Sequence, residues 1–247
     1  MTQARNPPAR RVATKGGPLR RSGELTRERL LDAAEKLFSE HGIDGVSMRD
    51  IAAESGIALA LANYHFGSKE GLYRAVFERR VPAVSAERRA ALAAVPMDGD
   101  ARTAIAAVLD ALARPWVESR GMPGGMAYTR LVAREAGDPA ESGRGIVAQH
   151  LDPIAREFIA AMARVLPGVS RRRIEWGYHF FIGALLLILA NPERVRRLSG
   201  PSCRIDSDAA VVKEIVDFFA GALAGGIPGE SAPRRAVPRT RTGRKNA

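Results

Sequence analysis

The sequence of 247 residues holds one cysteine, Cys203, so no disulfide can form within it and nothing covalent stabilises the fold. Such cysteine usage suits a reducing compartment, and the expected location is the cytoplasm. Four histidines, at 41, 65, 150 and 179, stand apart with no metal-ligand spacing. There is no Gly-rich phosphate loop and no nucleophile elbow, so the motif content argues against an enzyme. No catalytic residue, metal or cofactor is expected. Alternating β-branched runs and hairpin dipeptides are also missing, which argues against a sheet. The N-terminus lacks the apolar segment of a signal peptide. One strongly apolar run is present, WGYHFFIGALLLILA over 176–190, short of the roughly 20 residues needed to cross a bilayer. It reads as a buried or interface helix, with no membrane partner.

Charge is present in excess and is unevenly placed. The net +11 resides at the ends: residues 1–29 carry eight Arg or Lys against two Glu, and residues 230–247 carry six against one. Between them the two signs balance at 24 each. Basic ends rich in Pro and Gly attract nucleic-acid phosphates, although a solubilising role accounts for the same composition.

Apolar residues recur at helical spacing between glycine and proline stops, which predicts an all-α protein of about nine helices. The first helix is expected from a Thr26 N-cap to His41, followed by the Gly42 stop. Ser47 and Asp50 form a capping box for a short second helix, with Val46 stapling onto Ile51. Gly56 then turns the chain at positive φ into a third short helix from about Ala58 to His65. Small Ala52 and Ala53 allow the two short helices to approach, while Ile51, Ile57 and Phe66 pin their crossing. Two short helices joined by a tight turn and braced by a longer one match a helix-turn-helix.

The runs TRERLLDAAEKLFSEHGIDGVSMRDIAAESG and GIALALANYHFGSKEGLYRAVF, continuous from Thr26 to Phe77, resemble the DNA-binding region of TetR-type regulators. The resemblance implies that Asn63, Tyr64 and His65 meet the major groove and its flanking phosphates. It places Lys69 as a phosphate-binding lysine at a helix start. It further implies backbone contacts from Ser47 and Arg49, with Arg27 a similar candidate. Ala58 replaces the usual Ser or Thr cap, and Leu59 and Leu61 replace commonly polar residues. Ala58 and Leu59 then offer apolar contacts suited to thymine methyls, unless Leu59 and Leu61 pack inward, leaving Asn63 as the main base reader. Residues 30–80 hold six Lys or Arg against eight Asp or Glu, so the arm before them is the expected source of positive potential.

The expected organisation is a basic disordered arm (1–25), a three-helix DNA-binding domain (26–80), a helical-bundle ligand-binding and dimerisation domain (81–225) and a basic disordered tail (226–247). TetR-type architecture implies a homodimer formed by the helices around 176–190 and 208–223, acting on a palindromic operator. The stretch from TRLVAREAGDPAE to RRRIEWGYHFFIGALLLILA is more loosely similar to fatty-acid-responsive members, implying an apolar effector such as a fatty acid or acyl thioester. Arg130 and Arg134 are candidates for its head group, with pairing to Glu135 or Asp138 as the plain alternative. Trp116, Met122, Met126, Tyr128, Trp176 and Tyr178 are candidates for the wall or for ordinary core. The expected function is a ligand-responsive transcription regulator, acting as a repressor; a sequence-tolerant architectural DNA binder working through its tails is the alternative.

Overall fold

The computed structural model describes the backbone of residues 18–199 and 207–225, with side chains from Ser22 to Leu198 and from Ser207 to Gly225. Residues 1–17, Cys203 and the basic tail from 226 onward lie outside the described residues. Helix α1, Pro18–His41, begins earlier than the sequence pattern suggests. Proline at a helix start has a suitable fixed φ, and its missing N–H is no loss there. Thr26 is therefore not an N-cap: its hydroxyl donates to the Ser22 carbonyl inside the helix at 2.9 Å. Residues 18–25, expected as part of a disordered arm, are helical.

Then follow α2 (Met48–Ser55) and α3 (Leu59–Phe66). The Ser47–Asp50 capping box is formed in both directions. Gly56 closes α2 with φ +65, its N–H reaching the carbonyls of Ala52 and Ala53. Arg29 of α1 donates to the last α2 carbonyl, Ser55, at 2.7 Å and so satisfies a helix end that would otherwise lack partners. Ile51 and Ala62 are buried, and Ile57 and Phe66 pack on the same core. Ala52 lies at the packed side, whereas Ala53 is exposed and takes no part in the close approach.

The helix that starts at Lys69 runs unbroken across the expected domain boundary as α4 (Lys69–Ala93), capped by Ser68. Pro82 lies within it on the exposed side, where the carbonyl it frees four residues back can meet water. The expected division at 80/81 thus falls inside a continuous helix roughly 37 Å long at 1.5 Å per residue. Beyond it come α5 (Ala101–Ser119), α6 (Gly125–Gly137) and the short α7 (Glu141–Arg144). A π-helical turn, Val147–Leu151, leads into α8 (Asp152–Val165), followed by α9 (Arg171–Ala190), α10 (Pro192–Ser199) and α11 (Asp208–Ala224). Eleven α-helices and no strand occur among the described residues, so the all-α class holds and the helix number is higher than expected. No periodic pattern predicts α7 or α10, each being too short to show one.

At 20 residues α9 is longer than the apolar run inside it and is the one described helix long and apolar enough to cross a bilayer. Its Ile174, Tyr178, Phe181, Leu185 and Leu189 are instead buried against the other helices.

α4 is held along its first half by buried ion pairs. Glu35 of α1, 2% exposed, pairs with both Arg79 and Arg80, and Arg80 also donates to the Pro123 carbonyl at 2.7 Å. About two turns earlier on the same helix, Tyr73 donates to Glu135 of α6 at 2.9 Å, and Arg144 pairs with the same carboxylate and with Asp138. Burial, followed by the Glu135 charge, pushes the Tyr73 phenol far above its ordinary value, so it stays a donor. Removing one partner of such a pair leaves an uncompensated charge, which costs about 3–5 kcal/mol when burial is complete. Glu35→Ala is accordingly expected to destabilise the protein by about 3 kcal/mol, the lower figure because both arginines retain some exposure. Urea unfolding checks this; a loss below about 1 kcal/mol, the usual worth of a surface pair, would show the cluster to be solvated.

Candidate nucleic-acid interface and ligand cavity

α3 buries Ala62 and presents its other side outward. Tyr64 is 82% exposed, Leu61 is 46% exposed, and Asn63 is exposed with no hydrogen bond to its side chain. Leu59 is half-buried, so one of the two expected apolar readers packs partly inward while Leu61 faces solvent. Ala58 stands at the N-cap and makes no side-chain capping bond, leaving the first α3 amides open. His65 lies edge-on to the Tyr64 ring at 5.5 Å between centroids. Arg27 is brought alongside by its guanidinium, 5.4 Å from the Phe66 ring centre.

Lys69 occupies the first position of α4, where Ser68 accepts from the Gly71 N–H at 3.1 Å. Its ammonium adds to the positive end of the helix dipole, a pairing that suits phosphate. Arg49 is exposed in the first turn of α2 and makes no ion pair among the described residues. The Ser47 hydroxyl is occupied: it donates to Asp50 at 2.6 Å and accepts from the Asp50 N–H at 3.2 Å. Hydrogen bonds from the Ser47 hydroxyl and backbone hold the Asp50 carboxyl below its ordinary range.

A cavity of about 520 Å³ opens between α4, α5, α6, α8 and α9. Of the side chains expected at an effector site, Trp116, Tyr128 and Tyr178 line it. Trp176 is 53% exposed on the outer face of α9, Met122 is exposed, and Met126 is 37% exposed and lies against Arg120. Arg130 and Arg134 do not face the cavity. Arg134 donates to the α1 carbonyls of Ser39 and Glu40 at 3.1 and 2.9 Å, capping that helix. Arg130 is exposed beside the same surface groove. The expected pairing with Glu135 and Asp138 is made by Arg144 instead.

The sequence pattern did not single out Arg88, which reaches the cavity from α4 and is 8% exposed. A signal for it exists: Val81, Val84, Ser85 and Arg88 continue one buried stripe along α4. Dividing the helix at Pro82 hides that phase.

An exposed recognition face on α3, a glycine turn and a separate helical body enclosing a cavity define a helix-turn-helix regulator architecture. Comparison with known proteins places it further. Residues 30–76 match the bacterial regulatory proteins of the tetR family, and residues 110–222 match the tetracyclin repressor-like C-terminal domain. The chain belongs to the TetR family. Among curated relatives, the regulatory protein RaaS of Mycobacterium tuberculosis is 41% identical over 73 residues, covering 29% of this chain and 34% of that protein. The regulator BetI of Agrobacterium fabrum is 48% identical over 48 residues, covering 19% and 23%. The chain thus matches about a third or less of these relatives' length. Two solved structures share the fold. The fatty acid degradation regulator FadR of Bacillus halodurans is 15% identical over 85% of this chain and 98% of that one, with a TM-score of 0.58. PfmR of Thermus thermophilus is 20% identical over 81% and 99%, with a TM-score of 0.52.

If this face reads DNA, Tyr64→Ala and Lys69→Ala should weaken binding to every duplex alike, because phosphates carry no sequence. Asn63→Ala should instead relax the preference at one base pair, by about 1–3 kcal/mol for a bidentate contact. Gel-shift competition with single-base operator variants measures both. A uniform loss from Asn63→Ala removes it from base reading.

Proposed function

We propose that the protein is a dimeric, ligand-responsive transcription repressor of the cytoplasm. On this reading α3 recognises each half of a near-palindromic operator, and a small apolar effector in the cavity releases it. The observation that carries the reading is the course of α4. It begins at Lys69, beside the recognition helix, and Val84 and Arg88 on the same helix line the cavity. An effector that shifts the wall of that cavity shifts the helix on which the phosphate contact is built. α6 supports the same coupling, since Tyr128, Val132 and Ala136 line the cavity while Arg134 and Glu135 grip α1 and α4.

Dimerisation is supported by an apolar stripe without cover on the outer faces of α9 and α11. Trp176, Phe180 and Leu187 are 53%, 59% and 54% exposed, and Phe218 is 70% exposed. A contiguous apolar patch of this kind marks an interaction surface. Gly183, between Phe180 and Leu187 on α9, has open space where a side chain would stand, so a second backbone can come close. The double substitution Phe180→Asp with Phe218→Asp is expected to give a folded monomer by light scattering. That monomer should lose most operator affinity, because two recognition helices must reach major grooves roughly 34–36 Å apart.

The architectural reading, in which basic ends bind any duplex, leaves the cavity and the apolar stripe without purpose. Competition between a footprinted operator and unrelated DNA separates the two, and equal affinity would refute the repressor reading. The arm is still expected to contribute electrostatically, because the 30–80 region is net negative. Deleting residues 1–17 removes Arg5, Arg10, Arg11 and Lys15 while sparing α1. The truncated protein should bind more weakly and with a shallower salt dependence, by about 0.9 in the log–log slope for each phosphate no longer neutralised. An unchanged slope would reduce the arm to a solubilising segment.

A further inference from the structure

Two arginines among the described residues are buried, and they are treated differently. Arg120 is paired with Asp208 at 2.7 Å and also donates to the Leu189 carbonyl. Arg88 has no carboxylate partner among the described residues. Its Nε donates to the Leu112 carbonyl at 3.0 Å, and its guanidinium lies over the Trp116 ring, 5.0 Å from the centre. Both terminal amino groups are left without a hydrogen bond on the cavity side. Burying an unpaired cation costs several kcal/mol, so a fold that retains one has reason to complete it.

The surroundings repeat this bias. Tyr128 and Tyr178 line the same cavity, are 3% and 9% exposed, and have no hydrogen-bond partner for either hydroxyl among the described residues. Burial pushes both phenols up to about 12, so at neutral pH they are donors. The remaining interior wall, from Val84, Val132, Ile154, Ile159 and Leu186, is apolar. The other charged groups that line the cavity, Asp152 and Arg156, are paired with each other at 3.1 Å, and exposed His179 and Arg156 mark the mouth. The cavity therefore offers one cation without a carboxylate partner and two phenol donors in a largely apolar shell, its lining carboxylate Asp152 being taken up by Arg156.

We infer that the effector is a free monocarboxylate with an apolar body, bound head-inward, its carboxylate completing the buried Arg88 and accepting from Tyr128 and Tyr178. The inference rests on the ligand-responsive reading above and narrows it. An acyl thioester does not fit this orientation: its bulky head would stay at the mouth and its apolar tail end would meet the bare guanidinium. A bidentate carboxylate suits the planar fork of arginine, and binding to a helix-borne cation would act directly on α4.

Decanoate, decanamide and decanoyl-coenzyme A, titrated calorimetrically into the full-length dimer, test this. Decanoate should bind at least ten-fold tighter than the amide and the thioester. In Arg88→Gln the acid and the amide should bind alike, with the amide held as in the unchanged protein. Arg88→Gln should also melt no lower than the parent without ligand, because it removes an unpaired buried charge, and decanoate should no longer raise its melting temperature. Decanoate should release the footprinted operator from the parent and not from Arg88→Gln. Equal binding of acid and amide by the parent overturns the carboxylate assignment and leaves an apolar-effector repressor standing. Tighter binding of the thioester overturns the head-inward orientation. Failure of all three compounds to bind overturns the assignment together with the cavity's role as an effector site.

Discussion

The geometry of this protein hangs on the buried carboxylate Glu35 and the two guanidiniums it holds. That cluster fixes α4 against α1, and the Tyr73–Glu135–Arg144 cluster fixes α4 against α6 nearer its start. Desolvated charges tolerate little misplacement, since a pair pulled apart forfeits its Coulomb energy without regaining water. Gly124 shows how tight the fit is: a Cβ there would collide with Arg80. α4 is thereby locked at one end to the unit that carries α3, while its other half remains part of the cavity wall.

Such a rod transmits displacement because a continuous helix is stiff along its axis. Pro82 lies between the ion-paired segment and the cavity-lining segment, on the solvent side where a missing hydrogen bond costs least. α6 offers a second connection in parallel, with one face on the cavity and the other on α1 and α4. On the ligand-responsive reading proposed above, a change in cavity occupancy reaches α3 through these two helices rather than through loops.

Charge is used in three distinct ways. The exposed face of α3 is modest in charge, and on the proposed reading Lys69, a helix start and stacked Arg27 are what meet phosphate. The ion-pair clusters between helices pair their carboxylates and guanidiniums with one another and serve to position. Of the two arginines buried among the described residues, Arg88 is the one without a carboxylate partner, and it lines the cavity. The apolar residues divide similarly. α9 buries Phe181 and Leu185 in its own body and turns Trp176, Phe180 and Leu187 outward, so its high hydropathy is divided between a packed face and an exposed one.

The sequence by itself determined the all-α class, the capping box at Ser47, the left-handed turn at Gly56 and the family resemblance, from which the proposed roles of Asn63, Tyr64, His65 and Lys69 follow. These rest on local chemistry: caps and turns are decided within a few residues, and a gapless motif keeps its spacing wherever it folds. Long-range packing decided the rest. Nothing close to Arg134 in the chain tells that it caps α1 across 95 positions of sequence, or that Arg144 takes the partners it was expected to have. The same holds for α4, whose interior proline looks like a boundary, whereas the ion pairs hold the half before it and the buried Val84, Ser85 and Arg88 pack the half after it in one helix. Arg88 is the sharpest case. A surface arginine and a buried one are identical in sequence, and only the tertiary structure packs this one at the cavity wall without a carboxylate partner among the described residues.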